Sequence, residues 1–119
     1  MTLQPGDLCS FRRSNGVWGY FRVLATDHSA KIGTIYSLEK FNVHTKDPVS
    51  ATDVGDVEEL KTLPRNGHFP IVEARVREVL PERIGHMPVN DDHLDGYRIW
   101  REAFDSGKGG VFTLPLEEI

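Results

Sequence analysis

The sequence predicts an α+β protein, in which a small, strongly bent antiparallel sheet carries one late helix packed on it. Three observations favour this fold class: an early hairpin with a recognisable turn, strand-like alternation along most of the chain, and one amphipathic stretch near the C-terminus. An SH3-like half barrel with the same late helix is the alternative form of such a sheet. With 119 residues and 39% hydrophobic content, the chain is expected to form a single domain over residues 1–119.

The clearest element is a β-hairpin between Gly6 and Asp27. Its first half alternates in side-chain character with a period of two, which is typical of a strand with two different faces. Ser14-Asn15-Gly16 supplies the turn, because Asn and Gly accept the positive φ values that tight hairpin turns need. Val17 to Ala25 returns as a strand rich in aromatic and β-branched residues.

The chain after the hairpin predicts a third strand and a short helix. Alternation over Ile32 to Val43 indicates the strand. Turn and breaker residues follow, and Val57 to Leu63 then predicts a helix that Asp53 or Asp56 would cap.

A further strand is predicted in the second half of the chain. Pro64 to His68 contains another Asn-Gly pair and predicts a turn. Phe69 to Leu80 alternates charged and apolar residues, which indicates a strand that ends or bends near Glu78, where the sequence also tolerates helix. Pro81 to Pro88 is expected to be a loop.

The best helix candidate is Leu94 to Ser106. Its aromatic residues recur at spacings of three and four and so share one face, on which we expect the central one to anchor the helix: Tyr97, Trp100 and Phe104. Gly107 is suited to end the helix in a left-handed turn. A short strand over Val111 to Leu114 and a tail are expected to follow.

Composition and charge restrict the classes of function. Cys9 is the only cysteine, which excludes an internal disulfide and a cysteine-based zinc framework, and we expect it to be buried. The net charge of −4 and pI near 5.7 disfavour sequence-independent nucleic-acid binding and suit a basic partner. No secretory signal or apolar run of about 20 residues is present, so we expect a cytoplasmic protein without membrane contact.

The sequence shows no catalytic or metal-binding signature. Its five histidines are scattered through predicted loops, and none pairs with another at the spacing of a helical zinc motif: His28, His44, His68, His86 and His93. No nucleophile elbow is present. We therefore expect no enzymatic activity, no catalytic residues, no metal and no cofactor.

Two acidic groups are the candidate partner-binding features. Asp91, Asp92 and Asp95 place three carboxylates just before the predicted late helix. One interpretation is a capping cluster, since helix N-termini favour negative charge, and the other is a surface that meets a basic partner. Both can hold together, because a capping carboxylate leaves the others free. A second group has the same ambiguity: Asp53, Asp56, Glu58 and Glu59.

The returning strand of the hairpin has one face that allows two interpretations. Trp18, Tyr20, Arg22 and Leu24 share it. Aromatic and arginine side chains on a sheet can stack bases, but such platforms lie in basic grooves. Because both faces of this strand are largely apolar, core packing is the favoured interpretation.

Short motifs at both ends of the chain carry a family resemblance. Pro5-Gly6-Asp7-Leu8, Gly19 to Leu24, Trp100-Arg101-Glu102-Ala103 and Gly107 to Phe112 resemble the immunity protein 26 family of bacterial polymorphic toxin systems. The resemblance skips the middle of the chain. It implies a small cytoplasmic protein that binds and blocks a protein toxin, often a nuclease, delivered by a neighbouring cell.

Two other functions remain open beside this resemblance. One is an SH3-like module that binds nucleic acid or peptide, and the other is a small enzyme with a site carried by a loop. An acidic inhibitor would have charge complementary to the basic cleft of a nuclease, and Asp91, Asp92 and Asp95 are the expected contact residues.

Overall fold

The computed structural model describes residues 2–119 and has an α+β fold, as predicted. Its strands form one antiparallel sheet in the order β4-β3-β2-β1-β5, so that β4 and β5 are its edges. The strands are β1 (Asp7–Arg12), β2 (Trp18–Ser29), β3 (Gly33–Phe41), β4 (Arg65–Val72) and β5 (Glu82–His86). The helices are α1 (Val54–Leu60), α2 (Glu73–Arg77) and α3 (Asp95–Asp105).

The predicted hairpin is confirmed as β1 and β2. Gly16 adopts a φ of +87° in the turn, as the Asn-Gly pair predicted. Gly19 on β2 lies directly opposite Phe11, and a Cβ atom there would come within 2.8 Å of the Phe11 ring. Glycine at this position therefore lets the ring pack closely against the backbone of the neighbouring strand.

The sheet is covered on both faces. On the first face, buried side chains of the strands pack with Leu3, with Val76 of α2 and with Leu116 near the C-terminus. On the second face they pack with Val57 and Leu60 of α1. Two-sided burial explains why the sequence of β2 is apolar on both faces.

The late helix is confirmed, and its aromatic stripe faces the protein. Trp100 is the only buried residue of α3, and its ring stacks on Phe104 with centroids 5.0 Å apart. The indole Nε1 of Trp100 donates a hydrogen bond to the carbonyl oxygen of Gly110 at 2.8 Å. Gly107 ends the helix with a φ of +78°, and the N–H of Lys108 donates to the carbonyl of Ala103 at 2.8 Å.

The region around β4 differs from the prediction. The turn expected at Pro64 to His68 is wrong, because β4 begins at Arg65 and pairs with β3 across an irregularity in register. Gly67, with a φ of +34°, lies in this irregular part of the strand. Pairing with β3 therefore outweighs the local turn preference of Asn-Gly.

The strand predicted over Phe69 to Leu80 ends at Val72, and α2 follows it. Val76 and Val79 both pack on the first face of the sheet, a spacing of three that suits a helix and not a strand. Glu73 and Arg77 also form an ion pair of 3.2 Å one helical turn apart. These contacts explain why Val79 is out of phase with the strand pattern.

Two other predictions for the C-terminal half are wrong. The loop expected at Pro81 to Pro88 contains β5, which pairs with β1 and buries Ile84. The strand expected at Val111 to Leu114 is only an isolated parallel bridge between Phe112 and Ile71. Leu116 then enters the core with no exposed surface, which fixes the C-terminal segment by packing instead of strand pairing.

Helix α1 starts three residues before its predicted start. Asp53 occupies the N-cap position, but its side chain accepts hydrogen bonds from Ser50 and none from the helix. Asp53 therefore takes the predicted N-cap position but does not make the expected capping hydrogen bond. Within residues 2–119, none of the helices combines the length and apolar character needed to cross a lipid bilayer.

Candidate functional site

The three carboxylates predicted to bind a partner lie at the start of α3. Asp91 and Asp92 open a 3-10 turn, Asp91–Leu94, and Asp95 is the first residue of α3. All three side chains are exposed. The capping interpretation of this cluster is wrong, because Asn90 takes the N-cap position of the 3-10 turn and Leu94 takes that of α3. The N–H of Asn90 donates to His93 Nδ1 at 3.3 Å.

One cation lies among these carboxylates. Arg98 Nη2 is 3.1 Å from Asp91 Oδ1, and Arg98 Nη1 is 3.8 Å from Asp95 Oδ1. Within the part of the chain that the structure describes, Asp92 has no ion pair. Because one guanidinium compensates three carboxylates only in part, the start of α3 carries net negative charge.

Asp92 and Asp95 also line a cleft of about 440 Å³. Its opposite wall comes from β2, β3 and β4 and from the connection that enters β4. The other lining residues are Leu24, Glu39, Thr62, Leu63, Pro64, Arg65, Gly67, His68, His93 and Gly96. We call this the first cleft. Its exposed carboxylates lie at the edge of a surface that α3 and the sheet hold in place.

A buried arginine in the sheet holds the segment that leads to this site. Arg22 on β2 has no exposed surface, and its Nη1 donates to the carbonyl oxygens of Met87 at 3.3 Å and Pro88 at 3.1 Å. Its Nη2 lies 2.6 Å from Glu39 Oε1, which also lies 3.0 Å from Arg65 Nε. Burial lowers the pKa of the Arg22 guanidinium, and the charge of Glu39 opposes that shift.

The middle of α3 is held by polar and aromatic contacts. Tyr97 Oη donates to Asp27 Oδ1 at 3.0 Å, and Arg101 Nη1 lies 3.2 Å from the same oxygen. The His68 ring of β4 packs against Tyr97 at 5.9 Å and Trp100 at 5.6 Å, measured between ring centroids. These contacts hold the middle of α3 against β2 and β4.

The second acidic group lies beside a second cleft of about 560 Å³. This cleft runs between α1 and the segment over residues 43–49, and Leu63 lines both clefts. Asp53, Asp56 and Glu59 line it, whereas Glu58 points elsewhere and pairs with Lys61 at 2.8 Å. The structure therefore brings the two acidic groups to neighbouring clefts, which their separation in sequence did not reveal.

The aromatic face of β2 packs in the interior, as the favoured interpretation predicted. Tyr20, Arg22 and Leu24 are buried, and Trp18 is half-buried. These side chains are therefore not available as an open platform for stacking bases. Sequence reasoning missed the buried contacts of Arg22, for which the only signal was a single cation on an otherwise apolar strand face.

The remaining candidate groups are Cys9 and the side chains that could bind a metal. Cys9 is buried as expected, and burial raises the pKa of its thiol to about 12. Among residues 2–119, no group of three His, Cys, Asp or Glu side chains is arranged to hold a metal ion.

Comparison with protein-family models, with curated proteins and with solved structures found no match to the chain.

Proposed function

We propose that this chain is an immunity protein that binds and neutralises a basic bacterial toxin through the start of α3. The proposal rests on the exposed cluster of Asp91, Asp92 and Asp95, in which Arg98 is the only paired cation within residues 2–119. The family resemblance of the chain ends supports the same function and suggests a nuclease as the toxin.

Charge complementarity is the physical basis of this proposal. A nuclease must hold phosphates and therefore presents a basic cleft to its partners. Unpaired carboxylates on the inhibitor raise the rate of productive encounter and disfavour acidic partners. Asp92 suits this role best, because its carboxylate forms no ion pair within the described residues.

The support of the acidic cluster also favours a binding role. Arg22 anchors the backbone at Met87 and Pro88, shortly before the cluster, and Trp100 anchors the helix after it. A surface held in this way loses little conformational freedom on binding, so less of the interaction free energy is lost to ordering.

We also propose that the protein acts in the cytoplasm. A nuclease toxin delivered by a neighbouring cell reaches its substrate there, and an inhibitor must be present in the same compartment. The resemblance implies this location, and the net charge of −4 suits a partner that is basic and not nucleic acid itself.

Protection of growing cells tests the proposal. A toxin gene next to the gene of this chain would supply the cognate toxin. The chain is expressed in a bacterial host together with the domain that such a gene encodes, and viable counts are compared with those of cells that express the toxin alone. Co-expression should restore growth, and the purified chain should inhibit the toxin in vitro. Undiminished killing by a toxin that is produced together with folded chain would contradict the proposal.

A matched pair of variants then tests the surface. Asp92→Asn, Asp95→Asn removes two charges from the proposed surface and leaves the Asp91 ion pair in place. Glu82→Gln, Glu118→Gln removes two charges from exposed positions that line neither cleft. Only the first pair should weaken inhibition.

A further inference from the structure

We infer that the second cleft receives an arginine side chain of a basic protein partner. The cleft combines an apolar floor with a rim of carboxylates. The inference rests on the proposed function only for the identity of the partner protein. The cleft itself is defined by the side chains that line it between α1 and residues 43–49.

The floor of the cleft is apolar and continuous with the core. Leu60 is buried in the second face of the sheet, and Val43, Val49 and Leu63 pack against the same cluster while they line the cleft. Apolar surface at the bottom of an open cleft favours an occupant with an aliphatic part.

The rim carries four carboxylates, from Asp47, Asp53, Asp56 and Glu59. Across residues 2–119, none of the four takes part in an ion pair, whereas Asp7, Asp27 and Glu39 in the sheet all do. Lys46 is the only cation among the lining residues. The rim therefore carries net negative charge.

Hydrogen bonds to β2 hold one wall of the cleft in place before any partner binds. Trp18 of β2 exchanges backbone hydrogen bonds of 2.7 and 3.0 Å with Thr45. The hydroxyl of Tyr20 accepts a hydrogen bond from the N–H of Val49 at 3.0 Å. The wall between these contacts is held in position, so an occupant does not have to order it.

An arginine side chain fits this combination of features. Its aliphatic stem can lie on the apolar floor while its guanidinium reaches the carboxylates at the rim. The planar guanidinium also offers several hydrogen-bond donors that match the geometry of carboxylate oxygens. A compact ammonium group matches this geometry less well. Leu63 joins this cleft to the first one, so a basic partner can contact both acidic groups at once.

Titration with three small probes tests the inference without any toxin. N-acetyl-arginine methylamide carries stem and charge, methylguanidinium carries charge alone, and N-acetyl-norleucine methylamide carries the stem alone. Amide shifts in ¹H–¹⁵N spectra of the folded chain should saturate with the arginine probe for residues 43–49 and 53–63. Each of the other two probes should bind about tenfold more weakly, because each lacks one part of the interaction.

Matched variants assign the site. Asp56→Asn, Glu59→Gln should weaken the arginine probe about five- to tenfold, since two exposed charge contacts are lost. Glu82→Gln, Glu118→Gln makes the same change in net charge away from the cleft and should leave binding unchanged. Both pairs replace exposed residues, and the same spectra verify their folds.

Equal affinities for methylguanidinium and the arginine probe would overturn the inference. Amide shifts spread over all acidic residues would do the same, as would equal affinity of the two double variants for the arginine probe. Tighter binding of spermidine than of the arginine probe would also overturn it and assign the cleft to a free polyamine. Loss of toxin inhibition with intact probe binding would instead count against the proposed function alone.

Discussion

The guanidinium of Arg22 and the carboxylate of Glu39 lie 2.6 Å apart on adjacent strands, with Arg22 fully buried. The same guanidinium donates to the carbonyl oxygens of Met87 and Pro88. A buried ion pair in the sheet thus supports the segment that leads to the acidic cluster. Removing one partner of such a pair leaves an uncompensated charge in the interior.

Arg22→Met should destabilise the fold by about 3 to 5 kcal/mol, because Glu39 would keep only the partly exposed Arg65 as a partner. The two carbonyl groups would also lose their donor. The free energy of unfolding, measured by urea denaturation, tests this expectation.

The double variant Arg22→Met, Glu39→Met serves as the control for this pair. It removes both charges, so its loss of stability should be smaller than the sum of the two single losses. Additive losses would show that the two side chains do not act as a pair.

Trp100→Ala should cost about 3 to 5 kcal/mol of stability, the usual range for a large core aromatic. The change removes the contacts with His68 and Phe104 and the hydrogen bond to Gly110. A urea melt measures the loss. A loss below about 1 kcal/mol, typical of an ordinary surface change, would show that Trp100 does not anchor α3.

Stability should fall as the pH is lowered, in part because of His68. Burial lowers the pKa of His68, although the charge of Asp27 opposes this effect, and its Nε2 is buried without a partner. The unfolded chain therefore binds more protons than the folded one below the unfolded pKa of about 6.5. This contribution to stability is present above that pH and is lost as the pH falls toward the folded pKa.

Urea midpoints between pH 7.5 and 5.0 test this expectation for the wild type and for His68→Phe. The variant should lose less stability over this range, since the ring it introduces does not titrate. His44, whose pKa is also lowered by burial, remains in both proteins and does not affect the comparison. An identical pH dependence would assign the effect to other groups.

The hairpin and the late helix could be predicted because short-range signals determine them. Asn15-Gly16 fits the turn, and the spacing of Tyr97, Trp100 and Phe104 places them on one helical face. In contrast, β4 and β5 depend on pairing with distant strands. Pairing with β3 carried Asn66-Gly67 into a strand, which no local pattern could indicate.

The candidate site could likewise be predicted only in part. The exposure of Asp91, Asp92 and Asp95 follows from their position before an amphipathic helix, and the sequence predicted it. The support from Arg22 did not follow from sequence, because its partners Met87 and Pro88 are 65 and 66 residues away. A local cluster of charges can be predicted from sequence, whereas contacts between residues far apart in the chain are visible only in the folded structure.

Ile99 is an expected contact residue beside the acidic cluster. It lies on α3 one helical turn after Asp95, and 73% of its surface is exposed. The centre of a protein interface is more apolar than its polar rim, so an exposed apolar side chain bordered by charged groups suits this arrangement. Ile99→Ser should change stability by less than about 0.5 kcal/mol and should raise the dissociation rate of the toxin complex. An unchanged dissociation rate would place Ile99 outside the interface.

The proposed contact between the carboxylates at the start of α3 and a basic toxin should affect how fast the two proteins associate. Its most direct test is the association rate with the toxin at low and high salt, measured for the wild type, for Asp92→Asn, Asp95→Asn, and for Glu82→Gln, Glu118→Gln. We expect slower association and a flatter salt dependence for the first variant alone, because charge near the interface steers encounter and salt screens it. Unchanged rates and salt dependence in that variant would contradict this contact.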